Sequence, residues 1–288
     1  MDSLNKDLLE LLEGLLSESD DEFDAVLKQY ANSRDKIKQL IAKLFMDYSV
    51  DGELNYSQIY MTTIIDNLEE QVVEELNKIG TLEIATITTI LGAAYVNAYY
   101  KSAFTLEQRI GIQINFIRVN EAILNQFINQ NWSGKHFSER IWMNQNALRE
   151  ALIVNLERGI REGHKLDKIA KVFDNEFGSK SYQSQRLVRT ETARIISESK
   201  EHLYRENGIR QVEHLATLEK NTCSICADLD GQIFDIDDAS RPRVPIHPNC
   251  KCDQMPVIEG GTNFRKDNET KEYIPYKNYR EWEKAKGL

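Results

Sequence analysis

Residues 1 to 241 contain no proline. A chain that long without its strongest helix breaker is free to run in helices, and its apolar residues recur three and four apart, the spacing of one helical face. The pattern holds in "LNKDLLELLEGLL" (4–16), after an acidic, cap-rich stretch "SESDDEFD" (17–24) that reads as a break, and again through "AVLKQYANSRDKIKQLIAKLFMDY". It continues in "IYMTTIIDNLEEQVVEELNKI", "TLEQRIGIQINFIRVNEAILNQFINQ" and "FSERIWMNQNALREALIVNLERGI", with Gly80, Gly134 and Gly163 as punctuation. The expectation is a helical array.

One uncharged stretch, "IATITTILGAAYVNAYY" (84–100), resembles a membrane segment. Its 17 residues include Thr86, Thr88, Thr89 and Asn97, and a bilayer asks for about 20 mostly apolar ones. A buried helix and no stable membrane span are expected, with insertion at one stage of a life cycle left open. The apolar and charged fractions, 41% and 28%, belong to a chain that folds, and 288 residues allow one large core or two smaller ones. A formal charge of -10 does not suit a protein that coats nucleic acid. "MDSLNKDLLELLEGLL" has no basic region before its apolar residues, so it does not read as a secretory signal.

"DYSVDGELNYSQ" (47–58) puts Asp47, Ser49, Asp51 and Gly52 at calcium-loop positions, but Gln58 stands where a bidentate carboxylate is needed. A polar turn between two helices is the better reading. In "HKLDKIAKVFDNEFG" (164–178), Leu166, Ile169, Val172, Phe173 and Phe177 mark one helical face that Gly178 closes, and a polar helix follows to Gly208. Beyond Gly208 the period changes. Val212, His214 and Ala216 alternate with polar neighbours, and "GQIFDI" (231–236) is a second strand signal.

All four cysteines, Cys223, Cys226, Cys250 and Cys252, fall within 30 residues. Cys223-x2-Cys226 is a knuckle whose thiolates reach one tetrahedral metal, and His247-x2-Cys250 is a second half. Zinc accepts this mixture, and four protein ligands make a structural site. A metal would also offset the cost of ordering the 23 residues between Cys226 and Cys250. Cys223, Cys226 and Cys250 are the expected ligands of about one zinc, with His247 and Cys252 competing for the fourth place. Residues two apart on an extended strand sit roughly 6 to 7 Å apart, so Cys250 and Cys252 share an ion only if the backbone turns. Disulfides remain the alternative. A redox pair fits poorly because "ADLDG" follows the knuckle, and a zinc deaminase lacks its His-x-Glu, since His202 and His214 precede Tyr204 and Ala216. A nuclease centred on His247 stays open. Asp228, Asp230, Asp235, Asp237 and Asp238 read as a solvated loop, and Pro242, Pro245 and Pro248 as an extended approach to the second knuckle.

"RLVRTETAR" places Arg186, Arg189, Thr190, Glu191 and Arg194 on a helix. Two readings stand: a charged surface with internal ion pairs, or Arg189 and Glu191 bridging the helix to the cysteine region. Lys165, Lys168, Arg186, Arg189 and Arg194 also raise a nucleic-acid-binding reading, weakened by the acidic residues among them.

That helix, the Cys223-x2-Cys226 pair, the Asp230-Gly231 step and the ending "HPNCKC" resemble the Mu F-like minor head proteins of tailed bacteriophages, over about residues 150 to 257. The resemblance implies a minor protein of the virion head, associated with the portal protein and needed for head morphogenesis or DNA packaging and ejection. It also implies synthesis in the host cytoplasm, with capsid or scaffolding protein as further partners and transient contact with phage DNA. Arg189, Thr190 and Glu191 match the signature helix, and Cys223, Cys226, His247, Cys250 and Cys252 the cysteine and histidine positions. Some relatives carry toxin domains after this module, for which the remaining thirty residues are too few. The expected fold is mainly α: a helical partner-binding region (1–150), a small α+β module with a Cys/His zinc cluster (151–257) and an extended C-terminal arm (258–288). An enzyme, either a metal-dependent nuclease or a particle-delivered toxin, is the competing function.

Overall fold

The computed structural model describes residues 4–54, 64–110, 113–258, 264–267, 269–275 and 278–287. Among them are seven helices and seven short strands, so the fold is mainly α with small sheets. Three helices dominate: α1 (Leu4–Tyr48, 45 residues), α2 (Ile64–Ile110, 47 residues) and α5 (Leu166–Glu206, 41 residues). Two shorter helices, α3 (Glu121–Ile128) and α4 (Phe137–Arg161), lie between α2 and α5 in the chain.

Each long helix runs through a place where the sequence reads as interrupted. In α1 the acidic stretch at 17–24 lies within the helix. Its buried positions Leu12, Leu15, Ser19, Phe23 and Val26 keep helical spacing, while Asp21, Glu22 and Asp24 are exposed. Ser19 fills an apolar seat because its hydroxyl bonds Thr192 at 3.0 Å. Gly80 lies inside α2 and seats a ring: a Cβ there would meet Trp142 Cζ3 at 2.6 Å. Gly178 lies inside α5, exposed, where the roughly 1 kcal/mol penalty of a helical glycine is outweighed by burial of Phe173, Phe177 and Val188. In the opposite sense, residues 113–120 leave the helical pattern. Their amides are met by side chains instead: Asn115 donates to Asn207 Oδ1, Ile117 to the Tyr99 hydroxyl and Val119 to that of Tyr100.

The chain divides into two compact units. One comprises Glu22–Thr88 and Asn131–Leu187 and is almost wholly helical. Its core is apolar, with Phe23, Ile37, Ile79, Ile141, Leu148 and Leu152 fully buried. One polar knot lies inside it. Tyr30 donates to Glu83 Oε2 at 3.2 Å, bonds Ser184 Oγ at 2.7 Å and accepts from Gln145 Nε2 at 2.6 Å. Burial pushes the Glu83 carboxyl up to about 7. The calcium-like segment is a tight hairpin of β1 (Ser49–Val50) and β2 (Glu53–Leu54), turned by Asp51 and Gly52 at φ 54° and 81°. Gln58 lies outside the described residues.

The other unit comprises Met1–Asp21, Thr89–Gln130 and Val188–Leu288. The two expected strands are present as β3 (Gln211–Leu215) and β4 (Ile233–Asp235), and β5 (Asp253–Pro256) completes an antiparallel sheet of order β4-β3-β5. Leu8, Tyr99, Leu106, Leu203, Val212 and Met255 form its main core. A short helix α6 (Ser224–Leu229) follows β3. Near the C-terminus, β6 (Phe264–Lys266) pairs with β7 (Tyr273–Pro275), and helix α7 (Tyr279–Lys286) buries Tyr279 and Trp282 against Leu218 and Ala227. The uncharged stretch belongs to α2, which is long and apolar enough to cross a membrane, but Ile87, Leu91, Tyr95 and Tyr99 are fully buried within the protein.

Candidate metal centre and its supports

Both knuckles are closed by local backbone chemistry. Cys223 is the N-cap of α6: its Sγ accepts from the Cys226 amide at 3.4 Å and its carbonyl from Ala227 at 2.9 Å. That turn brings Cys226 back beside Cys223. At the second knuckle Asn249 sits at φ 59°, a left-handed conformation asparagine tolerates better than most residues. The Cys250 amide then bonds the His247 carbonyl at 3.1 Å, closing the turn.

The four thiols are unbridged, and Cys226, Cys250 and Cys252 are buried with Ala216 and Val244 in a small cluster of their own. Cys226 Sγ lies 3.3 Å from His247 Nε2 and 4.0 Å from Cys250 Sγ. Around one tetrahedral zinc the sulfur–nitrogen and sulfur–sulfur edges are about 3.5 and 3.8 Å, so these two separations match those of ligands that share a zinc. His247 Nδ1 donates to the Pro248 carbonyl at 2.9 Å, which leaves Nε2 as the lone pair facing the thiols. The hydrogen bond between Cys226 and Cys250 pushes the Cys226 thiol up and holds that of Cys250 well below its ordinary value. The pair thus holds a proton where a metal cation would replace it.

Two sets of donor atoms converge within 4.8 Å: Cys223, Cys226 and His247, and separately His214, Cys226 and Cys252. Spacing in the chain does not single out His214 as a ligand. It lies on β3 and is fully buried. The register pairs His214 with Gln254 and Leu215 with Asp253, so His214 and Cys252 are diagonal neighbours on one sheet face. The available signal was its place in the alternation Val212, His214, Ala216, where an inward-facing imidazole needs a polar reason to be there.

The Arg-Thr-Glu helix is α5; the internal ion pairs of one sequence reading are present but buried, and Thr190 makes a contact to the cysteine region. The Thr190 hydroxyl accepts from the Asn249 amide at 3.1 Å, so Thr190 ties α5 to the second knuckle. Arg189 instead forks onto Asp20 of α1 at 2.7 and 3.1 Å. Glu191 pairs with Arg194 at 3.0 Å, both 2% exposed, and Arg194 also reaches Glu198 at 2.6 Å. With one guanidinium facing two carboxylates, Glu198 is pushed up to about 7, by burial first and against the pull of Arg194. Arg186 is exposed, as are four of the five loop aspartates. Asp230 is the buried exception: its Oδ1 accepts from Ala216 at 2.7 Å and its Oδ2 from Tyr279, linking the end of β3 to α7.

Farther along α5, buried Lys200 pairs with Asp253 of β5, and Glu201 holds buried Arg241, which also bonds Gln254. The module around the cysteines is therefore tied to α5 by Thr190, Lys200 and Glu201. Removing one partner of such a buried pair costs about 3–5 kcal/mol, because the other charge stays buried.

A sequence model of the family described as "Phage Mu protein F like protein" matches residues 151–255. The chain is 20% identical over 302 residues to "Minor head protein GP7" of Bacillus phage SPP1, covering 98% of this chain and 97% of that protein. It is also 30% identical over 232 residues to "NAD(+)--arginine ADP-ribosyltransferase EFV" of Enterococcus faecalis (strain ATCC 700802 / V583). That match takes in 73% of this chain and 48% of the transferase, so the chain spans about half of that relative's length. No solved structure matches. The matched residues contain α5, both knuckles and the sheet with the Asp230-Gly231 step, so residues 151–255 carry a Mu F-like module in a chain that is similar over nearly its whole length to a phage minor head protein.

Proposed function

We propose that this protein is a minor structural component of a phage or prophage head whose C-terminal module is held together by zinc and whose helices bind the portal protein. The observation that carries the reading is the end-to-end likeness to a phage minor head protein, which covers 98% of the chain. The donor geometry supports a closed metal site. Cys223, Cys226, Cys250 and His247 would hold the ion, and its chemistry there is cross-linking: it joins α6 to the HPNC turn and replaces core that so small a region lacks. With every position taken by protein, no water is left on the ion to be activated.

Arg189, Thr190 and Glu191 then act as positioning residues. Thr190 fixes the HPNC turn on α5, Arg189 fixes α5 on α1, and Glu191 neutralises Arg194 in the interior. Exposed apolar side chains on the helical unit, among them Met46, Trp142, Met143 and Val154, supply surface for a partner subunit. The transferase activity named for one relative belongs to that longer protein.

The test is affinity capture of the tagged full chain from cells assembling heads, followed by nuclease and ADP-ribosylation assays of the purified protein. Portal subunits are expected as the captured protein, with no DNA cleavage in magnesium, manganese or zinc and no labelling of arginine acceptors from NAD. Metal-dependent cleavage abolished by His247→Ala in a folded, head-incorporated variant would contradict the structural reading and install the nuclease.

A further inference from the structure

The cysteine region presents more donors than one tetrahedral ion can use. Cys223, Cys226, His247, Cys250, Cys252 and His214 all gather around the Cys226 sulfur, two more than the four ligands of a structural zinc. They also sort by origin. Cys223 and His247 come from the two knuckles and are half-buried, whereas His214 and Cys252 come from the β3–β5 face and are 0% and 5% exposed. Each pair forms a triad with Cys226, and Cys226 is common to both triads.

We propose that the cluster holds two metal ions that share the Cys226 thiolate, an outer one held by the knuckles and an inner one held by the sheet. The proposal rests on the reading that this region binds a metal. Cys250, 4.0 Å from Cys226, is the remaining thiol of the cluster, and as a second shared thiolate it would complete four ligands on each ion. Charge favours the pair. Four thiolates and two neutral imidazoles balance two dications, so the cluster is neutral, as a buried site needs. A single dication among four thiolates would leave a net charge of -2, or keep protonated thiols in the interior with no metal bond. Thiolate sulfur is soft enough to bridge zinc, and cobalt can replace zinc in such sites.

The division of labour follows from the elements involved. The outer ion cross-links α6 to the HPNC turn. The inner ion fastens the same α6 cysteine to β3 and to the residue entering β5, so the sheet and the knuckles become one cross-linked body.

The experiment is metal counting on the full-length chain, purified under reducing conditions without added metal and then titrated with cobalt. About two zinc ions per chain are expected, and a cobalt titration whose thiolate-to-metal absorption reaches its end point at about two equivalents. His214→Leu should retain about one ion, and so should His247→Ala. If His214→Leu fails to fold, the wild-type count and His247→Ala, at a half-buried position, carry the test together. One ion per chain in the wild type overturns the proposal, whichever residues hold it. No ion in the wild type overturns the metal reading beneath it, and the two failures are thereby distinct.

Discussion

The two compact units are stabilised by different means. In the helical unit, leucine, isoleucine and phenylalanine fill the interior and one hydrogen-bonded knot around Tyr30 and Glu83 is its main buried polar feature among the described residues. In the unit that carries the sheet, Val212, Leu215 and Met255 join the apolar core, but the region around the two knuckles forms a small cluster of its own, and thiols, an imidazole and ion pairs hold it. A core built on apolar area degrades gradually when one side chain is trimmed, whereas a core built on paired donors and charges fails where a partner is lost. The second kind of core is also one that solution conditions can dissolve.

The largest expected effect comes from Cys226→Ser, which removes the sulfur common to both donor triads. Amide exchange across residues 211–256 should accelerate by more than about 100-fold, or ~3 kcal/mol of local stability, while α4 changes by less than about threefold. Equal acceleration in both regions would mean a single interdependent core and would erase the contrast between the units.

Lys200→Met should follow, at about 3 kcal/mol, the lower end of what a broken buried pair costs, because Asp253 would be left buried without its cation. Adding Asp253→Leu should recover most of the loss in a denaturation series. If the double variant is no more stable than the single, the pair is dispensable and Asp253 is held by other means.

In the helical unit the corresponding probe is pH. Burial raises the Glu83 carboxyl to about 7 from an ordinary value of 4.5, so the folded state prefers its proton. Its contribution is therefore fully present below about pH 4.5 and lost as pH rises through about 7, a loss of about 1–3 kcal/mol. Glu83→Gln should remove that slope, gaining on the wild type as pH climbs from 5 to 8 in parallel denaturation curves. Parallel curves with no pH-dependent gap would show that Glu83 is ionised in the fold.

The smallest effect belongs to Thr190→Val, which removes one hydrogen bond to the Asn249 amide, worth about 1 kcal/mol. It should speed metal release to a chromophoric chelator by a few-fold without changing metal content. An unchanged release rate would separate α5 from the second knuckle.

How much of this was legible in the sequence differs between the same two regions. Helical content, the strands at 211–215 and 233–235 and the knuckles could be read from periodicity and spacing, since each depends on residues near one another in the chain. Helix ends depart from the local pattern for one repeated reason: tertiary seats overrule local breakers. Gly80 takes the ring of Trp142, and Ser19 takes the hydroxyl of Thr192 from 173 positions away. The part of the cluster missed in the sequence, His214, depends on the β3–β5 register, and no window of sequence contains both strands. Thr190 is legible as part of its helix, but its bond to Asn249 likewise spans 59 positions.

The most direct test of the account is segment-resolved hydrogen exchange on the wild-type chain before and after treatment with a strong chelator under reducing conditions. The account predicts that residues 211–256 lose protection while α4 and the buried face of α1 beyond Phe23 keep theirs, and that zinc restores what was lost. Unchanged protection in residues 211–256 after the metal has been removed would contradict it.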